Sequence, residues 1–207
     1  PNEYETIIRA IRILDFATCI SFVPRNASHR DYLSILPQKE PKGCWSSIGR
    51  IGGKQKLSLQ KPEKGRSKCL GGPGRAIHEI MHSLGVFHEQ SRSDRDNYIN
   101  VIWDNVKPGT HSIQSAFCFK HNFNVAPDEN VTFNFEYDYN SIMHYGSKHF
   151  SVKGKRTILP KKSGVVIGQR VNLSKTDCMK LNAMYGCLDQ DAFAREKYTT
   201  ICSAMGL

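Results

Sequence analysis

Two stretches of the chain place apolar residues at helical spacing. In residues 3–17, isoleucine and leucine recur at intervals of three and four, which predicts an amphipathic helix. A second helix is predicted from about 75 to 84, directly after the chain-breaking sequence GGPG. Gly85 follows that segment, where a glycine commonly ends a helix.

A third helix is predicted over 174–185 near the end of the chain. Ser174 stands at its start and Asp177 comes three residues later, which is the spacing of a capping box. Residues 188–207 then form a predicted tail with only a weak helical pattern.

Short runs of alternating or apolar residues predict strands at 19–23, 32–36 and 55–60. From about 85 to 170 the chain has little periodicity and is rich in Asn, Asp, Gly, Pro and aromatic residues. That segment is therefore expected to be mostly irregular.

Composition places the chain among globular proteins. It has 207 residues, of which 39% are hydrophobic and 23% charged. No run approaches the roughly 18 apolar residues that a membrane-spanning helix needs, so no membrane span is predicted. The sequence has no initiator Met and no apolar leader at its start, so we expect any targeting segment to be absent from it.

The net charge of +10 favours acidic partners. However, the lysines and arginines are spread along the chain, with concentrations only at 54–68 and 148–162. Neither concentration carries the signature of a nucleic-acid-binding module, so no nucleic-acid partner is predicted. A solvated basic surface explains the charge equally well.

Seven cysteines are many for a cytosolic chain of this length, and none forms a CxxC pair. Scattered single cysteines indicate disulfide bonds and an oxidising compartment. Three N-x-[ST] sequons, at Asn26, Asn130 and Asn172, agree with secretion. We therefore expect a secreted, disulfide-bonded glycoprotein.

The sequence HEIMHSLGVFH at 78–88 carries the candidate chemistry. His78 and His82 are four residues apart, so on a helix they share one face and can bind one Zn²⁺. Glu79 lies beside them as a candidate general base for metal-activated water. Gly85 allows the chain to turn so that His88 supplies a third nitrogen, which leaves one zinc position open. The alternative is an amphipathic helix whose histidines are ordinary surface or core residues.

This motif and several others resemble the astacin family of metzincin zinc endopeptidases. Residues 78–88 match HExxHxxGxxH. Other similar segments are HEQSRSDRD at 88–96, SIMHYG at 141–146, TCISFVPR at 18–25, GCWS at 43–46 and YGC at 185–187. The segments IGQR and LSK at 167–175 are similar to hatching-enzyme and tolloid-type members.

The resemblance implies an α+β fold with the two lobes of a metzincin protease. The upper lobe, about 1–87, would hold a twisted sheet and two helices, and the lower lobe, about 88–187, would be largely irregular. Residues 1–187 would be the catalytic domain and 188–207 a tail. Compared with the family, the chain begins inside the first helix and an N-terminal strand is missing. The family's buried amino terminus would lie near Glu89, so we expect either a fragment or a Glu89 without its usual partner.

The resemblance also assigns roles to individual residues. His78, His82 and His88 would bind one zinc ion, and Glu79 would be the general base. Tyr145 would stabilise the oxyanion and is a possible additional ligand in the resting enzyme. Met143 would form an apolar floor under the metal. Pairs Cys19–Cys187 and Cys44–Cys69 would be disulfides, whereas Cys118, Cys178 and Cys202 have no assigned partner.

The predicted function is zinc-dependent endoproteolysis outside the cell by a monomeric catalytic unit. A protein or peptide substrate would lie extended in the cleft, adding as a strand beside Lys56, Leu57 and Ser58. Arg170 would favour an acidic residue directly after the cleaved bond. The alternatives are a catalytically inactive basic binding module that retains the fold, and a zinc hydrolase of non-peptide substrates.

Overall fold

The structure is a computed structural model that describes residues 2–61, 69–108, 119–126 and 135–205. By its contacts the chain divides into two compact units. One unit joins the chain up to Val86 with the segment from Arg170 onward, and the other comprises Phe87–Gln169. These units differ from the predicted lobes of about 1–87 and 88–187, because residues 170–187 group with the first unit.

Helix α1 of the first unit spans Glu3–Ala17, as the apolar spacing predicts. Its first turn is closed by a capping box: the side chain of Asn2 accepts from the Tyr4 nitrogen at 2.7 Å, and the Glu5 carboxylate accepts from the Asn2 nitrogen at 3.1 Å. The described helix therefore begins at Glu3, directly after the capping residue Asn2. Its buried face packs against the helix described next.

Helix α2 spans Pro73–Ser83, and proline at the first helical position suits a nitrogen that has no helical partner. Almost every side chain from Ala76 to His82 is buried, including three that are polar. A helix that is enclosed on nearly all sides carries polar groups only when they have partners or a function. This marks α2 as the structural centre of the first unit.

A three-stranded sheet completes this part of the first unit. Its strands are β1 (Tyr32–Ile35), β2 (Cys44–Ser46) and β3 (Lys54–Leu59), in the order β1-β3-β2. Strand β3 runs parallel to β1 and antiparallel to β2. The prediction of a strand at 19–23 is wrong: this segment has no regular structure and pairs with no strand among the described residues, and Val23 is 67% exposed.

Two further helices follow in the first unit, α3 (Lys175–Met184) and α4 (Ala192–Met205). The capping box predicted for α3 is present, since Ser174 Oγ accepts from the Asp177 nitrogen at 2.9 Å. Helix α4 lies where the sequence predicted only a tail. It packs against α3, and Tyr198 and Ala194 form a small core with the Cys19–Cys187 disulfide.

The second unit is largely irregular, as predicted. Within its described residues, the regular elements are the antiparallel strands β4 (Ile99–Val101) and β5 (Ile158–Pro160) and four short 3-10 turns. The turns span Glu89–Ser91, Arg95–Asn97, Trp103–Asn105 and Phe119–Phe123. An aromatic-rich core around Phe123, Tyr137 and Tyr145 holds these pieces together. The fold class is therefore α+β, and no helix in the described ranges has the length and apolarity to cross a membrane.

Candidate metal centre and active site

Helix α2 brings two imidazole rings together. His78 and His82 are one turn apart, both are buried, and their ring centroids lie 4.7 Å from one another. This is the arrangement that four-residue spacing on a helix dictates. The pair is thus placed by local helical geometry alone.

The end of α2 orients the second ring and redirects the chain. Gly85 has φ of +98°, a conformation that residues with a side chain rarely adopt, and its nitrogen donates to the His82 carbonyl at 2.9 Å. The chain turns there, and the Val86 carbonyl oxygen lies 2.8 Å from Nδ1 of His82. This contact fixes the ring and leaves Nε2 to act as a ligand.

His88 completes a cluster of three nitrogen donors. One ring nitrogen from each of His78, His82 and His88 lies within 4.8 Å of the other two. Three ring nitrogens this close together can converge on one zinc ion, which binds nitrogen at about 2.0–2.1 Å. Burial also lowers the pKa of His82 to about 4, so its ring is neutral, as a ligand must be. The donor set therefore fits zinc and leaves a coordination position open.

Glu79 is enclosed beside these ligands. Burial raises the pKa of its carboxyl group to about 8, while the charges of Arg170 and Arg75 act in the opposite direction. A carboxylate with a raised pKa accepts and returns a proton near neutral pH. Its residue type, burial and charge environment suit general acid–base chemistry.

Comparison with known proteins decides the family of the chain. The family described as Astacin, a family of peptidases, matches residues 1–186. This chain belongs to the astacin family. The family match and the histidine cluster both identify zinc as the metal that this site takes.

Relatives of known sequence and structure agree with this assignment. Zinc metalloproteinase nas-4 of Caenorhabditis elegans is 45% identical over 190 residues, which cover 90% of this chain and 51% of nas-4. Zinc metalloproteinase nas-15 of the same organism is 41% identical over 188 residues, or 90% of this chain and 30% of nas-15. This chain thus spans about half or less of their length.

A solved astacin structure shares the fold. High choriolytic enzyme 1, a hatching enzyme zinc-protease from the medaka fish Oryzias latipes, superposes with a TM-score of 0.75 at 38% sequence identity. The match covers 89% of this chain and 83% of that one. The α+β astacin fold is thereby confirmed.

The turn that carries Met143 and Tyr145 is held by hydrogen bonds on both sides. The Met143 nitrogen donates to Ser141 Oγ at 3.0 Å, and the Glu89 nitrogen donates to the Met143 carbonyl at 3.3 Å. The Tyr145 nitrogen donates to Gln90 Oε1 at 2.9 Å. The segment after His88 therefore holds the turn that carries Met143 and Tyr145.

The ring of Tyr145 lies against two histidines. Its centroid is 4.4 Å from that of the ligand His88, and it stacks on His149 at 4.8 Å with an interplanar angle of 12°. These contacts hold Tyr145 beside one of the three zinc ligands.

Glu89 has hydrogen-bond partners within its own unit. Its Oε1 accepts from the Arg92 guanidinium at 3.1 Å and from the Asp138 nitrogen at 2.9 Å. Arg92 also pairs with Asp94 at 2.8 Å. The buried carboxylate of Glu89 is therefore compensated within its own unit.

The structure also corrects the predicted docking strand. Lys56, Leu57 and Ser58 lie in β3, the central strand, which pairs with β1 on one side and β2 on the other. A peptide adds to an edge strand because the backbone groups on the free side of that strand are unpaired. The free edges of this described sheet belong to β1 and β2, and β2 is the edge strand that packs against α2.

Arg170 is tied to α2 by a contact that the sequence did not reveal. A Cβ atom at Gly74 would lie only 2.0 Å from the Arg170 carbonyl oxygen, so the two backbones meet where a side chain cannot fit. Arg170 is half-buried and acts electrostatically on both Glu79 and His82. The only signal in the sequence was the run of glycines before the helix.

Three disulfide bonds brace the chain. Cys19–Cys187 and Cys44–Cys69 are the pairs that the astacin resemblance implies. The third, Cys178–Cys202, joins α3 to α4 and gives a partner to two cysteines that the sequence left unassigned. Cys118 lies outside the described residues, as does the sequon Asn130.

Proposed function

We propose that this chain is a zinc-dependent endopeptidase that hydrolyses internal bonds of extracellular proteins. The observation that carries the proposal is the cluster of His78, His82 and His88 with the buried carboxyl of Glu79 on the same helix as two of them. Nitrogen ligands with an open position and an adjacent proton acceptor suit hydrolysis by water. Membership of a peptidase family supports peptide bonds as the target.

Zinc held by the three histidines would supply a Lewis acid that polarises the scissile carbonyl and lowers the pKa of a water molecule toward neutrality. Glu79 takes a proton from the attacking water and returns it to the nitrogen of the leaving amine. The burial that raises its pKa to about 8 makes the carboxylate a stronger base for the first of these two proton transfers. No covalent link between chain and substrate is required.

Tyr145 and Met143 support this chemistry from the second unit. The Tyr145 hydroxyl donates a hydrogen bond to the oxyanion that develops on the substrate. Its ring contact with His88 supports this role, as does its well-held backbone. Met143 is buried and acts as an apolar floor.

An extended protein segment is the proposed substrate, with β2 as its docking edge. Strand β2 (Cys44–Ser46) is free on one side within the described sheet and packs against the helix that carries His78 and His82. A short hydrogen-bonded link supports this placement: the Gly49 nitrogen, just after β2, donates to the His82 carbonyl at 2.9 Å. Backbone pairing at this edge would select an extended chain.

Arg170 is the proposed selector of an acidic residue directly after the cleaved bond. Its half-buried position and its electrostatic coupling to Glu79 support a place close to the reacting bond. A guanidinium binds a carboxylate strongly in such surroundings. Cleavage-site profiling of a peptide library should show an acidic bias that falls about tenfold or more in Arg170→Ala. A mutant that keeps the bias would assign the arginine another role.

The remaining parts of the proposal concern the setting of the enzyme. Residues 1–187 form a monomeric catalytic domain that acts after secretion. Three disulfide bonds support an oxidising environment. No nucleic-acid partner is proposed, because the basic residues follow no recognised module.

The decisive experiment pairs two variants of the zinc helix. Glu79→Ala should keep bound zinc and lose about 10²–10⁴-fold in turnover, because it removes the base and no ligand. His82→Ala should lose the zinc itself, which elemental analysis reports. In the wild type, 1,10-phenanthroline should abolish cleavage and a serine-protease inhibitor should not. Zinc binding without any peptidase activity in the wild type would instead favour the inactive binding module.

A further inference from the structure

Two of the three sequons lie in described residues, and their surroundings are opposite. Asn26 belongs to the exposed turn 26–29, where each residue from Val23 to Ser28 is exposed. Asn172 is only half-exposed and its side-chain oxygen is enclosed. A glycan is bulky and hydrophilic, so a folded protein tolerates it only at a solvent-facing site.

The side-chain oxygen of Asn26 accepts two hydrogen bonds within its own turn. Oδ1 accepts from the Ser28 nitrogen at 3.0 Å and from Ser28 Oγ at 2.6 Å. The Asn26 nitrogen donates to His29 Nδ1 at 3.1 Å. These bonds pre-organise the side chain. They use none of the amide hydrogens on Nδ2, the atom to which an oligosaccharide is attached.

Packed groups flank Asn172 along the chain, although the adjoining Val171 is 63% exposed. Just before it, the Arg170 carbonyl meets Gly74 of α2 at a separation that excludes any side chain. Just after it, Leu173 is fully buried and Ser174 caps α3. An oligosaccharide on Asn172 would have to displace this packing, so a chain modified there would fold poorly.

We propose that the folded protein carries an N-linked oligosaccharide on Asn26 and none on Asn172. The donor is a lipid-diphosphate-linked oligosaccharide. A bond forms between Nδ2 of Asn26 and the anomeric carbon of the first sugar, the bond from that carbon to the diphosphate oxygen breaks, and Nδ2 loses one proton. The lipid diphosphate leaves with the electron pair. This proposal rests on passage through the secretory pathway, which is part of the proposed function.

For the test, the protein is expressed with a signal peptide in a eukaryotic cell, and the folded protein that the cell secretes is isolated. All variants carry Asn130→Gln, so that only the two described sequons remain. Intact mass before and after peptide-N-glycosidase treatment should show one glycan. It should vanish in Asn26→Gln and in Ser28→Ala, and persist in Asn172→Gln. An unmodified Asn26, or a glycan on Asn172 of the secreted protein, would overturn the proposal. A peptidase assay on the same sample reports separately on the proposed enzyme.

A second observation, independent of the first, concerns His144. This residue is fully buried, and both of its ring nitrogens have partners. Nδ1 lies 2.7 Å from the Tyr145 carbonyl oxygen, which only accepts, so Nδ1 carries the proton. Nε2 then accepts from the Tyr137 hydroxyl at 2.7 Å. The tautomer of His144 is thus set by its neighbours.

Tyr137 is itself rigidly held. Its ring stacks on Tyr98 with centroids 4.5 Å apart and an interplanar angle of 10°, and the Arg92 guanidinium lies 5.5 Å from the ring centre. Burial raises the pKa of the Tyr137 hydroxyl, so it remains a donor at all working pH values. A donor that neither moves nor ionises is suited to fix the ring to which it donates.

We infer that Tyr137 and His144 are positioning residues for Tyr145, on the basis of the proposed peptidase function. The nitrogen of Tyr145 is held by Gln90, and its carbonyl oxygen by His144. Both backbone polar groups of the proposed oxyanion donor are therefore anchored. A displacement of about 1 Å at such a residue is enough to slow catalysis strongly.

The test compares Tyr137→Phe with the control Tyr139→Phe. Tyr139 belongs to the same aromatic cluster, but its hydroxyl donates to the Tyr98 carbonyl at 2.8 Å and not to His144. We expect Tyr137→Phe to lower kcat about tenfold or more with KM and zinc content unchanged, and the control to leave all three unchanged. The amide resonance of Tyr145 should shift in Tyr137→Phe only, a readout that needs no activity. Equal effects in both variants, or an unmoved resonance in Tyr137→Phe, would overturn the inference.

Discussion

The hydroxyl of Tyr145 is a single group with a proposed role limited to the transition state. Its ring and backbone are fixed by His88, His149 and Gln90, so replacement by Phe should leave the fold intact. We predict that Tyr145→Phe lowers kcat about 10²-fold while KM changes less than about twofold. Steady-state kinetics on one good peptide measures both constants. A raised KM at constant kcat would show that the hydroxyl binds substrate instead.

Gly74 occupies the position where α2 meets the Arg170 backbone. A Cβ there would lie within 2.0 Å of a carbonyl oxygen, so one of the two backbones must shift. We predict that Gly74→Ala lowers the free energy of unfolding by roughly 1–3 kcal/mol, as overpacking does. Denaturant unfolding measures the loss.

Gly72 provides the matched control for this prediction. It lies two residues earlier, its φ of 175° suits any residue, and no atom lies within 4 Å of a Cβ built there. Gly72→Ala should therefore lower the free energy of unfolding by less than about 1 kcal/mol, the difference between these residues at a helix N-cap. Equal losses in both variants would show that the loss does not come from the Arg170 contact.

Among the elements, those defined by local sequence were predictable. The amphipathic period of α1, the glycine and proline before α2 and the Ser174–Asp177 capping box each specify a helix without reference to distant residues. The zinc ligands share this property, because His78 and His82 are placed by the helix itself. A chemically specific motif that lies on one locally defined helix can therefore be predicted from sequence.

Elements that depend on distant partners were not predictable. Residues 19–23 are apolar enough for a strand, yet Cys19 is tied to Cys187 and no described strand lies alongside. Whether β3 is central or at an edge depends on two other strands, and periodicity within β3 is the same in both cases. Helix α4 is stabilised by packing and by the Cys178–Cys202 bond, which its own weak pattern does not reveal.

The capping box of α3 is expected to stabilise the folded protein. Ser174→Ala removes the acceptor for the Asp177 nitrogen, now 2.9 Å away, and should cost about 1 kcal/mol of unfolding free energy. The matched control is Ser203→Ala, an exposed serine within α4, which should be neutral or slightly stabilising because alanine favours helices. Chemical denaturation of both variants checks the difference. A loss no greater than that of the control would mean that α3 is held by packing alone.

For the whole molecule, the raised pKa of Glu79 links global stability to pH once zinc is removed. The pKa of Glu79 in the folded protein, about 8, lies above its ordinary value of 4.5. Its contribution to the free energy of unfolding is therefore fully present below pH 4.5 and is lost as pH rises through about 8. The pKa of His82 is lowered from 6.5 to about 4, so its titration changes the free energy of unfolding only below about pH 6.5. We predict that the melting temperature of the chelated protein falls between about pH 6.5 and pH 8.

Glu79→Gln isolates this effect, because glutamine has nearly the same shape and does not titrate. The chelated variant should show a flatter melting temperature across the same pH window, as differential scanning calorimetry would record. Parallel curves for the wild type and the variant would show that another group carries the dependence. Zinc should raise the melting temperature of the wild type, since the ion binds only the folded cluster.

The two disulfides Cys19–Cys187 and Cys178–Cys202 overlap in sequence, so together they close almost the whole chain into linked covalent rings. For a protein proposed to cut other proteins, this has a practical result. One molecule nicked by another at any single bond between residues 19 and 202 releases no fragment. It migrates as an intact chain without reductant and falls into two pieces only when thiols are added. Self-cleavage in this protein would thus remain hidden on an ordinary non-reducing gel.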